Sequence, residues 1–115
     1  MAKQRVAVEF GMGTSLRRED YTKAAVSALK DALWHNSLTM AQAFGFPKEA
    51  MLVDVEVAVQ EPDKVDLNAL KDVLPYGTHT FKAVHGGLDI AKPDGGKTVI
   101  ANAAVIVSFD MEATS

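Results

Sequence analysis

The sequence predicts an α/β domain of the α+β kind: a four-stranded mixed sheet with helices mainly on one face, in the order β-α-β-α-β-β. Three observations point there. Residues 51–60 alternate, with Met51, Val53, Val55, Val57 and Val59 on one side and Asp54, Glu56 and Gln60 on the other; a period of two belongs to a strand. Residues 97–109 also alternate, but both sides are mainly apolar, as in a strand buried on both faces. Ahead of them, Tyr21, Ala25, Ala28, Leu29, Ala32 and Leu33 share one face at helical spacing.

The elements follow in chain order. Residues 5–12 set Val6, Val8, Phe10 and Met12 against Arg5, Ala7 and Glu9, which predicts the first strand. It runs into Gly11-Met12-Gly13-Thr14-Ser15, read as a flexible turn. A helix over 19–35 opens with Glu19 and Asp20, carboxylates suited to the positive end of its dipole. Asn36-Ser37 interrupts it, and Thr39 with Gln42 forms a capping box for a short helix that stops at Gly45. Pro62-Asp63 is a turn. Asp66 caps a short helix that uses Leu67, Leu70, Val73 and Leu74 and ends at Pro75 and Gly77. Residues 78–85 are β-rich until Gly86-Gly87 breaks or bulges them. Lys92-Pro93-Asp94-Gly95-Gly96 is a loop before the last strand.

Composition narrows the function classes. A chain of 115 residues fits one domain, taken as 1–115. An apolar fraction of 48% with 23% charged residues is that of an ordinary globular protein. A net charge of −3 gives no support for nucleic-acid binding, which shows a basic face. The absence of cysteine removes disulfides and thiolate metal sites. The opening Met1-Ala2-Lys3-Gln4-Arg5 leads into a short apolar run broken by Glu9, neither a secretory leader nor a membrane span. The expectation is a cytoplasmic protein without membrane contact, cofactor or metal. His35, His79 and His85 lack ligand spacing, although His79 and His85 share one strand face.

The last strand also predicts association. Two substantial helices cover roughly one face of a four-stranded sheet, yet both faces of 97–109 ask for burial. A second copy is the simplest cover: a homo-oligomer, a trimer or larger ring, or a mixed oligomer with a related chain. The alternative is that the short helix over 39–44 folds over the second face.

Four places are candidates for chemistry. The turn Gly11 to Arg18 joins a strand to a helix N-terminus, where free backbone N–H groups and the dipole favour an anion. Gly11 and Gly13 permit close approach, Thr14 and Ser15 bring hydroxyls, and Arg17 and Arg18 bring guanidinium forks suited to carboxylate or phosphate. Leu16 stands where a dinucleotide fingerprint has its third glycine. The plain alternative is a glycine turn with solvated arginines. Second, His35 in Trp34-His35-Asn36-Ser37 reads better as a dipole partner of its helix than as an acid or base. Third, Gly86-Gly87 could re-aim His85 toward a ligand as an acid/base group, with Asp89 or Lys82 nearby; the plain reading is an exposed hairpin. Fourth, Asn102 is an amide among apolar neighbours and must find partners, in an interface or on a ligand.

Gly11-Met12-Gly13, Lys23-Ala24-Ala25-Val26, Asn36-Ser37-Leu38, Pro75-Tyr76-Gly77, Gly86-Gly87-Leu88 and Ile100-Ala101-Asn102-Ala103-Ala104-Val105 resemble, in this order, a small uncharacterised family of bacterial and plant proteins. That family carries an N-terminal Gly-x-Gly-x-Asp-x-His-Gly signature. Where the signature has Asp, His and Gly, this chain has Ser15, Arg17 and Arg18. An acid/base or metal role of the signature would be lost here, since arginine stays protonated and serine needs a base; an anion site would be strengthened. The resemblance thus implies a diverged copy that binds without turning over, or one that joins an intact relative in a mixed ring. The strand–turn–helix–strand order, with Leu16-Arg17-Arg18-Glu19-Asp20 opening the helix, is also similar to one repeat of the cyanuric acid hydrolase and barbiturase family. Those enzymes set three repeats around one active site with Ser–Lys pairs, and a homotrimer would mimic them. Around Ala58, however, the second strand has no lysine.

The sequence therefore predicts an oligomeric binding protein or enzyme for an anionic or cyclic amide-like ligand at a subunit interface. Ser15, Arg17 and Arg18 would clamp the anion, Gly11, Gly13, Thr14, Gly86, Gly87 and Asn102 would line the site, and His85 would be the acid/base group. The alternative is a non-catalytic assembly or partner subunit.

Overall fold

The computed structural model describes residues 3–16, 18–34, 52–73 and 78–110 of the chain. The first strand, β1 (Lys3–Ser15), leads into helix α1 (Tyr21–Trp34). Strand β2 (Leu52–Val59) follows, then a single 3₁₀ turn over Pro62–Lys64 and a short helix α2 (Leu67–Lys71). Strands β3 (Thr78–His85), β4 (Leu88–Ala91) and β5 (Lys97–Asp110) complete the sheet. The expected fold class holds, with one strand more than expected because Gly86-Gly87 separates β3 from β4. The expected helix over 39–44, the end of α2 at Pro75 and Gly77, and His35 and Arg17 lie outside the described residues.

The sheet runs β1-β5-β2-β3, with β4 also paired to β5. β5 is antiparallel to β1 and β2, while β2 and β3 are parallel. β4 takes over beside β5 where β2 stops: Ala58 pairs with Asn102 and Leu88 with Ile100. The chain must therefore step across the end of β2 between His85 and Leu88. Gly87 makes that step at φ 63°, with no room for a side chain, since a Cβ would lie 2.3 Å from the Ile100 carbonyl oxygen. The Gly86 N–H donates to the Val59 carbonyl at 2.9 Å, and Gln60 Nε2 donates to the Gly86 carbonyl at 2.9 Å.

The core lies between the sheet and the two helices. Val53, Val55, Val57 and Val59 of β2 and Val99, Ala101, Ala103, Val105, Val107 and Phe109 of β5 are buried, as their alternation requires. They meet Ala24, Ala25, Ala28, Leu29 and Ala32 of α1 and Leu70 of α2. The surprise is β1. Gly11 and Gly13 lie inside the strand rather than in a turn, and α1 sits directly on them. An added Cβ would approach Ala28 O and Ala32 N at 2.3 Å from Gly11, and Ala28 N at 2.3 Å from Gly13. Small residues on both elements let the backbones touch, so Phe10 and Met12 take the other face. Phe10 is 70% and Met12 55% exposed there.

Asp66 caps α2 as expected, accepting from the Asn68 N–H at 3.0 Å. Replacing Asp66 with Ala should cost about 1 kcal/mol, the ordinary worth of an N-cap, read as a lower urea midpoint. An unchanged midpoint would mean that α2 is held by Leu70 alone.

Candidate functional site

The β1–α1 junction is built by two side-chain caps. Asp20 accepts from the Lys23 N–H at 3.0 Å and is the N-cap of α1, so the helix starts later than its acidic residues suggest. Ser15 is 1% exposed, and its Oγ accepts from the Asp20 N–H at 3.0 Å. Between them Glu19 adopts φ 51°, a left-handed conformation that costs a non-glycine residue about 1 kcal/mol or more. The β4–β5 hairpin braces the turn from the side, with Lys92 Nζ donating to the Leu16 carbonyl at 3.2 Å.

This junction leaves a pocket of about 440 Å³ whose described lining is Thr14, Leu16, Arg18 and Lys23. Thr14 and Leu16 come from the face of the sheet opposite α1, and Lys23 from the first turn of α1. Neither Arg18 nor Lys23 forms an ion pair among the described residues, so their charges face the pocket and solvent. A hydroxyl, an apolar side chain and two cations suit an organic anion with an apolar body.

The other expected site residues are dispersed. Gly11 and Gly13 serve the packing of α1, and the Ser15 hydroxyl is occupied within the turn. Gly86 and Gly87 carry the crossover from β3 to β4. His85 is exposed on β3, at the sheet edge opposite β1. Three strand spacings, about 14 Å, separate the two edges, so His85 and the β1–α1 pocket do not form one site. Asn102 stands exposed in the middle of the open face, paired in register with Met12 and Ala58. It borders a second depression, of about 210 Å³, with Phe10, Glu56, Ala58, Val84 and Ala104.

A polar cluster missed by sequence reasoning fixes the start of α1. The Tyr21 hydroxyl, on a residue 3% exposed, lies 2.8 Å from Glu61 Oε2 and 2.5 Å from Asp89 Oδ2. Lys97 Nζ is 3.2 Å and 3.1 Å from the same two oxygens, and Lys64 Nζ is 3.0 Å from Glu61 Oε1. Burial, then the Asp89 carboxylate, pushes the Tyr21 phenol up to about 12. Lys64, then Tyr21 and Lys97, holds the Glu61 carboxyl at about 2. Lys97 is held above the ordinary lysine range by Tyr21 and Asp89. Asp89 Oδ1 is buried without a hydrogen-bond partner. The members come from α1, the segment after β2, β4 and β5, and no spacing in the sequence announces them. Lys23 was missed as well; its one signal is its place three residues after the cap Asp20.

The family model described as a conserved hypothetical protein family, Lin0512_fam, matches residues 5–107. The chain belongs to this family. Its fold is similar to the crystal structure of an FtsZ-like protein of unknown function from Nostoc punctiforme PCC 73102, at 32% identity and a TM-score of 0.84, covering 96% of this chain and 98% of that one. No curated protein matches the chain. Membership thus fixes relatives and fold and leaves the activity to be argued from the site. Among the described residues no helix is long and apolar enough to cross a membrane.

Proposed function

We propose that this family member binds a small organic anion in the β1–α1 pocket and does so as a subunit of a homo-oligomer, with the pocket at the subunit boundary. The observation that supports the reading is that two cationic side chains without acidic partners among the described residues, Arg18 and Lys23, line one pocket of about 440 Å³. A carboxylate, a phosphate or the anion of a cyclic imide would take charge-assisted hydrogen bonds from the Arg18 fork and Lys23, with Thr14 as a neutral partner. Leu16 would pack on the apolar part. Arg17 belongs to the same turn by sequence and joins the proposal on that ground.

The test is calorimetric titration with benzoate, inorganic phosphate and barbiturate. At least one probe should bind, and Arg18→Ala should weaken it about tenfold or more, since a hydrogen bond to a charged group is worth about 1.5–3 kcal/mol. Native mass spectrometry should show the subunit number unchanged. Failure of all three probes to bind, or wild-type affinity in both Arg18→Ala and Lys23→Ala, would overturn the reading.

A non-catalytic assembly role is the second reading. It is favoured by the exposure of Phe10, Met12, Leu88 and Ile90 on one side of the sheet. In that case no probe binds, while a charge on the exposed row, such as Phe10→Glu, abolishes assembly and leaves the fold intact.

A further inference from the structure

We propose that the open face of the sheet is the docking surface for a second copy of this chain, anchored by Phe10 and Met12 and centred on Asn102. The inference rests on the homo-oligomer part of the proposed function and assigns the surface that part needs. On this face the cross-strand rows are Met12–Asn102–Ala58–Val84 and Phe10–Ala104–Glu56–Lys82. Thr14–Ile100–Leu88 continues them toward β4. Phe10, Met12, Leu16, Leu88 and Ile90 are 46–70% exposed. A contiguous apolar patch of this kind marks an interaction surface.

Three features select a second copy over another partner. The first is charge. The β2 and β3 side of the face carries both signs, Glu56 and Asp54 beside Lys82, with Glu56 and Lys82 4.0 Å apart. A surface built for an acidic or a basic partner would carry one sign. A face of mixed sign is complementary to itself under a two-fold axis, where the same patch meets its own image. The second is the amide. The Asn102 side-chain amide has no hydrogen bond among the described residues, and it offers both donors and an acceptor. Two Asn102 amides facing each other across an axis satisfy one another. The third is area. Strands of 13, 14, 8, 8 and 4 residues, at about 3.3 Å rise and 4.8 Å spacing, cover roughly 700 Å² in plan. A standard stable interface uses about 800 Å² per partner. The depression of about 210 Å³ between Phe10, Ala58, Val84 and Asn102 then receives one large apolar side chain of the second copy.

Sedimentation velocity over a concentration series tests this, on the full chain and on the variants Phe10→Glu with Met12→Glu, and Asn102→Asp. Both anchors are exposed in the single chain, so circular dichroism should show the folded state retained. The expected result is an oligomeric wild type, with dissociation raised about 100-fold by the double charge substitution and about tenfold by facing carboxylates at Asn102. An oligomer that withstands the anchor substitutions overturns the assigned surface and leaves the homo-oligomer reading standing. A monomeric wild type overturns both. If Phe10 and Met12 are protected from oxidative labelling in that monomer, cover by residues 35–51 of the same chain replaces the second copy.

Discussion

Replacing Gly13 with Ala should remove about 3 kcal/mol of folding stability, near the upper end of what overpacking costs. The added methyl would fall 2.3 Å from Ala28 N and 2.4 Å from Ala24 O. Both are backbone atoms in the middle of a 14-residue helix, so no rotamer change relieves the clash. Helix α1 must lift from the sheet, and lifting it opens the contact that buries Ala24, Ala25, Ala28, Leu29 and Ala32. Gly95 supplies the control. It has φ 98° and nothing within 4 Å of an added Cβ, so Gly95→Ala pays only the conformational penalty, about 1 kcal/mol. Urea unfolding with an unchanged slope reads both. If Gly13→Ala costs no more than Gly95→Ala, the helix is not seated on the glycines, and the reason for the exposure of Phe10 and Met12 goes with it.

That contact also explains what the sequence made legible and what it hid. The valines of β2 and the core side of β5 announced themselves by alternation, because a strand of period two buried on one side can be read from a single chain. The cap at Asp66 was legible because an N-cap is local. The phase of β1 was not. Val6, Val8, Phe10 and Met12 look like its buried side, since hydrophobicity is what the pattern records. The helix instead chose the side where Gly11 and Gly13 allow backbone contact. Phe10 and Met12 on the opposite side were left to solvent in the single chain. A glycine in a strand carries two meanings in sequence, a turn or a close approach, and only the partner element decides between them.

The candidate site was legible by location and not by composition. The β1–α1 junction was found because a strand end facing a helix start concentrates free N–H groups and permits cations to converge. Arg18 and Thr14 line the pocket at this junction. Ser15 and the glycines do not, because the turn and the helix use them first. His85 was placed with the pocket on chemistry alone, and strand order separates them: β3 closes the sheet at the edge opposite β1. Distances across a sheet depend on topology, which the sequence order β-α-β-α-β-β does not determine.

Replacing Tyr21 with Phe should cost about 1–2 kcal/mol near neutral pH, because it leaves two partly buried carboxylate oxygens with Lys97 alone as donor. The phenol has one proton and two acceptors, Asp89 at 2.5 Å and Glu61 at 2.8 Å, and Lys97 balances the charge they share. Such a cluster ties the first turn of α1 to β4, β5 and the segment after β2, so the loss should appear in global unfolding. The pH dependence identifies the cause. Glu61 falls from 4.5 to about 2 in the folded chain, so its contribution is whole above 4.5 and disappears as pH drops toward about 2. Tyr21 rises from 10.0 to about 12, so its contribution is whole below 10.0 and disappears as pH climbs toward about 12. Wild-type stability should carry a decline from this cluster at each end of the pH range. In Tyr21→Phe the alkaline decline from this group vanishes outright, and the acid decline, which still begins near 4.5, is smaller and levels off at a higher pH because Glu61 has lost one of the donors that hold its pKa down. Urea midpoints measured across the pH range distinguish this from simple loss of packing, which would lower the curve without moving either limb. A Tyr21→Phe curve parallel to wild type would reduce the cluster to contacts without shared protons. Arg18 and Lys23 would then owe their placement to the Ser15 and Asp20 caps alone.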